Sequence, residues 1–418
     1  MYALLDQAVD RVVKKGTLIL ADACGRPHSY GDGTGAPVKF RVTDRLTAIK
    51  LALDADLYLG EAYMNGGIVL EQGSINDLLG LLLDNLSSGE RPWVLKLLDQ
   101  CRIAMRWLHQ LNGITRAKRN VAHHYDLSGA LYDLFLDRDR QYSCAYFESP
   151  EASLDEAQLA KKRHLAAKLA IEPGMKILDI GSGWGGLGLY LAETCGAEVV
   201  GVTLSEEQHK LSNERARQRG VSNRVEFRLV DYRRLDERFD RIVSVGMFEH
   251  VGLWYFNQFF AKCRELLRDD GVGVLHSINR SRGPGATSAW INKYIFPGGY
   301  IPALSEVLPR MEDNGLYVTD IEILRLHYAE TLRQWAKRFA ANRERVKEIY
   351  DERFCRMWEF YLAAAETSFR FGGMNNFQIQ FTRSQHALPV TRSYMMAEEQ
   401  RLREIDLKRP RLKSVPAE

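Results

Sequence analysis

The chain has 418 residues, enough for two or three domains, and its 57 basic and 54 acidic residues nearly cancel to a net charge of +3. That balance argues against a dedicated nucleic-acid binder, which needs a clustered basic excess. The six cysteines, at 24, 101, 144, 195, 263 and 355, form no C-x-x-C pair and no Cys/His ligand spacing. Neither structural zinc nor a redox dithiol is expected, and a reducing compartment is the simplest reading.

The opening MYALLDQAVDRVVKK carries Asp6 and Asp10 inside its apolar run, unlike a signal peptide. No stretch approaches 18 uninterrupted apolar residues, so no membrane span is expected. Residues 1–90 read as a small mixed domain. It has a glycine-rich turn region from Gly25 to Pro37, a strand VKFRV at 38–42, and a helix start at Ser74–Asp77 before DLLGLLLDNL. Residues 91–120 read as a basic helical linker, with Val94, Leu97, Leu98, Cys101, Met105 and Leu108 on one face and Lys96, Arg102, Arg106 and His109 among them. Such a helix can rest on an anionic membrane, although a connecting helix packed on its own protein is the commoner use of the pattern.

The pattern changes from about residue 171. KILDI (176–180), AEVVGVTL (197–204), RVEFRLVD (224–231), FDRIVSVG (239–246) and GVGVLHSI (271–278) are short β-rich runs separated by helical stretches such as SEEQHKLSNERARQRG (205–220). This alternation predicts an α/β fold, a mostly parallel, doubly wound sheet with helices on both faces. Ligands of such sheets bind beyond the carboxyl ends of the strands, so the loops after 180, 203, 231, 246 and 276 are expected to converge on one site.

Gly181-Ser-Gly183-Trp-Gly185-Gly186 leaves the first of these strands and enters a helix, where glycine lets the backbone turn and a ligand approach. The G-x-G-x-x-G spacing admits a dinucleotide. The next strand, however, ends in Thr203-Leu-Ser-Glu-Glu-Gln208, with no acid on the strand end to take a ribose. Asp179 just before the glycines, the polar loop at Thr203, and Asp231-Tyr232 after a third strand together resemble the nucleoside pocket of class I methyltransferases. A second reading makes Asp179 a buried acid that holds the glycine loop through backbone bonds.

LGEAYMNGG (59–67), HYDL (124–127), QYSCAYF (141–147), ILDIGSGWGGL (177–187), GVTLSEEQ (201–208), DRIVSVGMFEHVG (240–252), WINKYIFPGG (290–299) and HYAETL (327–332) follow in order along most of the chain. In these strings the chain resembles the cyclopropane-fatty-acid-phospholipid synthase family. The resemblance implies a Rossmann-like class I methyltransferase fold with a smaller N-terminal domain and helical insertions or a lid, and a catalytic domain spanning 121–418. It implies S-adenosylmethionine held by Tyr142 and Ser143, by Gly181 and Gly183, by Thr203, Leu204 and Gln208, and by Tyr232, beside Asp179 and Asp231. It also implies a bicarbonate ion acting as general base, with ligands at Cys144, Glu249, His276, Ile278 (backbone) and Tyr328. Ser182 stands where many relatives have cysteine, a small-for-small change.

The implied chemistry explains these residue types. An isolated alkene is a weak nucleophile and must be held in line with the sulfonium methyl. Methyl transfer leaves a carbocation that water would trap, so the pocket must be dry. Tyr142, Phe147, Phe248, Trp254, Tyr255, Phe256, Phe259 and Phe260 offer rings that can stabilise a cation, with about half of them expected in the core. A base must then remove a proton from the added methyl for the ring to close. Cys144 needs no nucleophilic role in such a reaction. The adjacent His123 and His124 do not chelate one ion together, so no metal is expected. WINKYIFPGG reads equally as an amphipathic lid or as a core helix ended by Pro297.

The resemblance further implies phospholipid acyl chains as substrate, a homodimer, and a cytoplasmic enzyme held peripherally at the inner face of the cell membrane. The 93–119 helix and the tail LKRPRLK (407–413) are candidate contacts. Three other readings stay open: methylation of the double bond without ring closure, giving a branched or methylene product, a lipid-binding protein with a relic pocket, and, most distantly, an NAD oxidoreductase.

Overall fold

The computed structural model describes residues 2–88, 103 and 129–408. Apart from Ile103, the basic helix read at 93–119 lies outside the described residues, as do His123, His124, the HYDL string and the end of the basic tail. The described chain forms two compact units.

The first unit carries a four-stranded sheet in the order β2-β1-β3-β4, from Leu18–Ala21 (β1), Pro27–Tyr30 (β2), Val38–Val42 (β3) and Ile68–Gln72 (β4). In β3, Val38, Phe40 and Val42 are buried while Lys39 and Arg41 face outward and pair with Glu71, the period-2 alternation of a half-buried strand. The helix start at Ser74 forms as read: Ser74 Oγ accepts from Asp77 N–H at 3.2 Å, and Asp77 Oδ2 accepts from Ser74 N–H at 2.8 Å.

Packing also assigns residues 285–297 and 329–374 to this unit, whereas sequence order places them within the 121–418 domain. Gly60 gives part of the reason. A Cβ there would run into the Trp290 indole, so only glycine lets the Ala55–Met64 helix approach the Ala289–Tyr294 helix this closely. Beside it, Glu61 accepts hydrogen bonds from Lys293 Nζ (2.7 Å) and Tyr294 Oη (2.8 Å). Trp290 and Ile295 are 1% and 2% exposed, so these two side chains of WINKYIF are core in this unit while Lys293 is exposed. Ile295→Asp is therefore expected to lower stability by about 3–5 kcal/mol and to impair cofactor binding and turnover together. Thermal unfolding beside a binding titration checks this; a stable variant that binds cofactor and fails only on vesicles would restore the lid reading.

The second unit is a seven-stranded sheet in the order β10-β11-β9-β8-β5-β6-β7. Its strands are Lys176–Ile180 (β5), Glu198–Thr203 (β6), Val225–Leu229 (β7), Phe239–Val245 (β8), Leu267–Arg280 (β9), Tyr317–Ile323 (β10) and Met374–Thr382 (β11). The β5–β6, β5–β8, β6–β7 and β8–β9 pairs are parallel and β10–β11 is antiparallel. Successive residues feed opposite cores. Leu178, Ile180, Val200, Val202 and Ile242 pack under the Phe256–Leu266 and Leu304–Asp313 helices. Ile177, Val199, Val243 and Val274 pack under the Leu154–Leu169, Gly186–Cys195 and Ser393–Lys408 helices. Burial on both faces is why these strands read as continuous apolar runs. The expected mostly parallel, doubly wound α/β sheet is what forms.

Candidate active site

β5 lies between β6 and β8, where the strand order reverses, and the crevice beyond such a switch point is where doubly wound sheets bind ligands. A pocket opens there. Tyr142, Ser143, Asp179, Gly181, Gly183, Thr203, Leu204, Gln208, Asp231 and Tyr232 all line it. The loops after β5, β6, β7 and β8 converge as expected; that after His276 does not, because β9 continues to Arg280.

The glycine loop is built by its backbone. Gly181 and Ser182 N–H both donate to Val202 O at 3.0 Å, which turns the chain sharply off β5. Gly181 has φ +82°, and a Cβ on it would lie 2.7 Å from Met247 Cβ. Gly181→Ala is thus expected to cost about 1–2 kcal/mol in backbone strain and to weaken cofactor binding at least tenfold, measured by calorimetric titration. Unchanged affinity would show that the loop tolerates the displacement.

The two ends of the pocket differ chemically. At the β7 end, Asp231 takes a bidentate contact from Arg233 (2.8 and 2.6 Å), whose guanidinium also lies over Tyr232 at 5.6 Å. That pairing holds Asp231 below the ordinary carboxylate range against the opposing effect of burial. At β6, Thr203 Oγ1 donates to Gln208 Oε1 at 2.8 Å. The β5–β8 end holds Ser143 and Asp179. Burial pushes the Asp179 carboxyl up to about 7, partly opposed by Lys161. Its Oδ2 has no hydrogen-bond partner, nor has Ser182 Oγ. An acid anchoring the loop would spend its oxygens on backbone N–H groups; the free Oδ2 instead fits a ligand that brings its own donor. The residues present therefore suit an S-adenosyl ligand.

The expected anion ligands are Cys144, Glu249, His276, Ile278 and Tyr328, and a direct hydrogen bond joins Glu249 to Ile278. Glu249 Oε1 accepts from Ile278 N–H at 2.7 Å, while Glu249 Oε2 is buried without a partner. Burial raises the Glu249 carboxyl and pushes His250, on the pocket wall, down to about 4. His276, fully buried on β9, is kept neutral by burial. Its ring nitrogens face the side-chain amides of Asn376 (Nε2, 3.3 Å) and Gln378 (Nδ1, 3.2 Å) on β11. Cys144 is buried next to Ser143. Tyr328 follows His327, whose Nδ1 accepts from Phe147 N–H at 2.9 Å, close to Cys144 in sequence. Of the eight rings singled out, Phe248, Phe256, Phe259 and Phe260 are core, Tyr142 lines the pocket, and Trp254 is 53% exposed.

Several residues of this region carry no recognisable sequence signal. Asn376 and Gln378 belong to MNNFQIQFT, whose alternation shows one polar face but not that it meets His276. Lys161 sits in LDEAQLAKKRHLAAKL, which reads as a solvated helix, yet thirteen of those sixteen residues are buried.

A sequence model of the mycolic acid cyclopropane synthetase family matches residues 113–379. The chain is 37% identical over 358 residues to a cyclopropane-fatty-acyl-phospholipid synthase of Escherichia coli, covering 85% of this chain and 91% of that one. It is 41% identical over 287 residues to a probable fatty acid methyltransferase of Pseudomonas putida, covering 66% and 73%. Among solved structures, a mycolic acid cyclopropane synthase complexed with SAH and CTAB superposes with a TM-score of 0.60 at 34% identity, over 63% of this chain and 97% of that one. The doubly wound sheet, the pocket at its switch point and these likenesses lead to one conclusion: the chain belongs to the mycolic acid cyclopropane synthetase family and is an S-adenosylmethionine-dependent methyltransferase.

Proposed function

We propose that the enzyme methylates the cis double bond of an unsaturated acyl chain of a membrane phospholipid and closes a cyclopropane ring, with bound bicarbonate as the base. The observation that carries this reading is the buried polar set beside the β5–β8 end of the pocket, above all the partnerless Glu249 Oε2. S-adenosylmethionine would supply an electrophilic methyl carbon, and bicarbonate a small proton acceptor oriented by its ligands.

The chain's own residues do the rest. Ser143 and Asp179 hold the amino-acid end of the cofactor, and Asp231 and Tyr232 the adenine end. Glu249 accepts the O–H of the anion while its other oxygen fixes the Ile278 backbone. The side-chain amide nitrogens of Asn376 and Gln378 approach the two ring nitrogens of His276 and hold the buried imidazole in place. Burial, the common cause of the shifts at Glu249, His250 and His276, excludes the water that would quench a carbocation.

Methylation without ring closure is the second reading, favoured by the likeness to the probable fatty acid methyltransferase. Mass spectrometry of monounsaturated phospholipid vesicles, after incubation with enzyme and S-adenosylmethionine bearing a fully deuterated methyl, separates the two. A product that retains two deuteriums and resists hydrogenation supports the ring; two deuteriums in a product that takes up hydrogen mean a methylene group, and retention of all three establishes branching.

A homodimer at the inner face of the cytoplasmic membrane is part of the proposal. No helix among the described residues is long and apolar enough to cross a membrane, and docking at the bilayer surface is part of the proposal. Co-sedimentation with anionic vesicles is expected to fall with added salt; binding indifferent to salt and to anionic lipid removes the electrostatic account.

A further inference from the structure

Among the buried ionisable groups that the mechanism does not use, Lys161 lies directly behind the pocket wall. Lys161 is fully buried, and its Nζ donates to Gln141 Oε1 and Ser143 Oγ, both at 2.7 Å. Both partners are neutral. One turn earlier on the same helix, Gln158 donates to the backbone oxygens of Gln141 (3.2 Å) and Ser143 (2.9 Å). The helix therefore grips both the backbone and the side chains of the segment that enters the pocket.

We propose that Lys161 is a positioning residue that fixes the hydroxyl of Ser143 as a hydrogen-bond donor into the pocket, and so makes the site selective for ligands bearing a carboxylate. A hydroxyl has one hydrogen and an ammonium has no lone pair. With Lys161 on its oxygen, Ser143 can only accept from that side, and its hydrogen turns to the pocket that Ser143 lines. Without the ammonium, the hydrogen is free to turn back toward Gln141 Oε1. Ser143 Cβ lies 3.8 Å from the position a Cβ on Gly246 would take, which places it at the β8 side, away from Asp231 and Tyr232 beyond β7. Asp179, with its partnerless Oδ2, lines the same pocket from β5. A donor backed by a buried cation and a bare carboxyl acceptor together complement the zwitterion of an α-amino acid.

This inference rests on the S-adenosyl reading of the pocket. The electrostatics agree with it. Burial lowers Lys161 to about 8, with Asp137, Cys144 and Asp139 opposing that shift and Lys162 adding to it. Asp179 on β5 and the neutral His276 on β9 are the other titratable groups coupled to it. An incoming carboxylate favours the charged amine, so binding takes up a proton and weakens as pH rises past about 8.

The test compares S-adenosylhomocysteine with S-adenosyl-3-thiopropylamine, the same molecule without its carboxylate, by calorimetric titration. Lys161→Met is expected to weaken the first by about tenfold to a hundredfold, the reach of a charge-assisted hydrogen bond, and the second by less than about twofold. Combined with Ser143→Ala it should add little to the loss from Ser143→Ala alone. Equal losses for both ligands, or losses that multiply in the double variant, overturn the proposal and leave Lys161 a structural role. Where Lys161→Met does not fold, the wild-type enzyme decides: affinity for the carboxylate ligand should drop above pH 8 relative to the other ligand, and parallel profiles overturn the idea. Failure of the wild-type enzyme to bind either ligand sinks the S-adenosyl reading itself, a distinguishable result.

Discussion

Glu249→Gln is expected to lower kcat by about a hundredfold to ten-thousandfold while S-adenosylhomocysteine affinity stays within about twofold. Glu249 is 8% exposed and does not line the cofactor pocket, so the substitution should spare cofactor binding. Glutamine keeps one oxygen for the Ile278 N–H, which Oε1 now accepts at 2.7 Å. It replaces the partnerless Oε2 with an amide nitrogen. An acceptor is lost where a bicarbonate O–H requires one, so added bicarbonate should no longer stimulate the variant. The wild-type profile offers a second check. Burial raises the Glu249 carboxyl, so activity that needs its ionised form should fall on the acid side at a pH above the ordinary glutamate value of about 4.3. Full turnover by the variant would falsify the role given to Glu249.

Asp139→Asn is expected to cost about 3–5 kcal/mol of folding stability at neutral pH, because it leaves buried cations without their counter-charge. Asp139 is 7% exposed and is approached by Lys162, Arg215 and Arg219 (3.0 Å for the last). Burial acts to raise its pKa, but the three cations outweigh it and hold the carboxyl far below its usual range. A group depressed in this way stabilises the fold fully above its unfolded pKa, about 3.9, and loses that contribution as pH falls toward the folded value. The gap between wild type and variant in urea unfolding should therefore be constant from neutral pH down to about 5 and shrink below about 4. A gap independent of pH would assign the loss to packing. Cofactor affinity should fall as well, because nearby Asp137 Oδ1 holds the Gln141 N–H at 2.7 Å, at the start of the segment carrying Tyr142, Ser143 and Cys144.

Much of the fold was legible because local patterns and global structure agree. The runs at 176–180 and 239–246 became β5 and β8, and the glycine loop sits on the end of β5. The pocket-lining residues were legible because strand ends of a parallel sheet necessarily share one edge. The Leu154–Leu169 helix was not. Nothing near Lys161, Lys162, Arg163, His164 and Lys168 in sequence signals burial, which only the partners that converge from distant segments make tolerable.

The sequence by itself determined the fold class, the strand-end loops that form the pocket and the family, because these depend on periodicity and on residues adjacent along the chain. Tertiary structure alone decided three things. It packed Trp290 as core against Gly60, brought Asn376 and Gln378 to His276, and set a buried ammonium behind Ser143. Each is a contact between residues far apart in sequence, and a residue's burial, charge state and hydrogen-bond direction follow from what surrounds it in space.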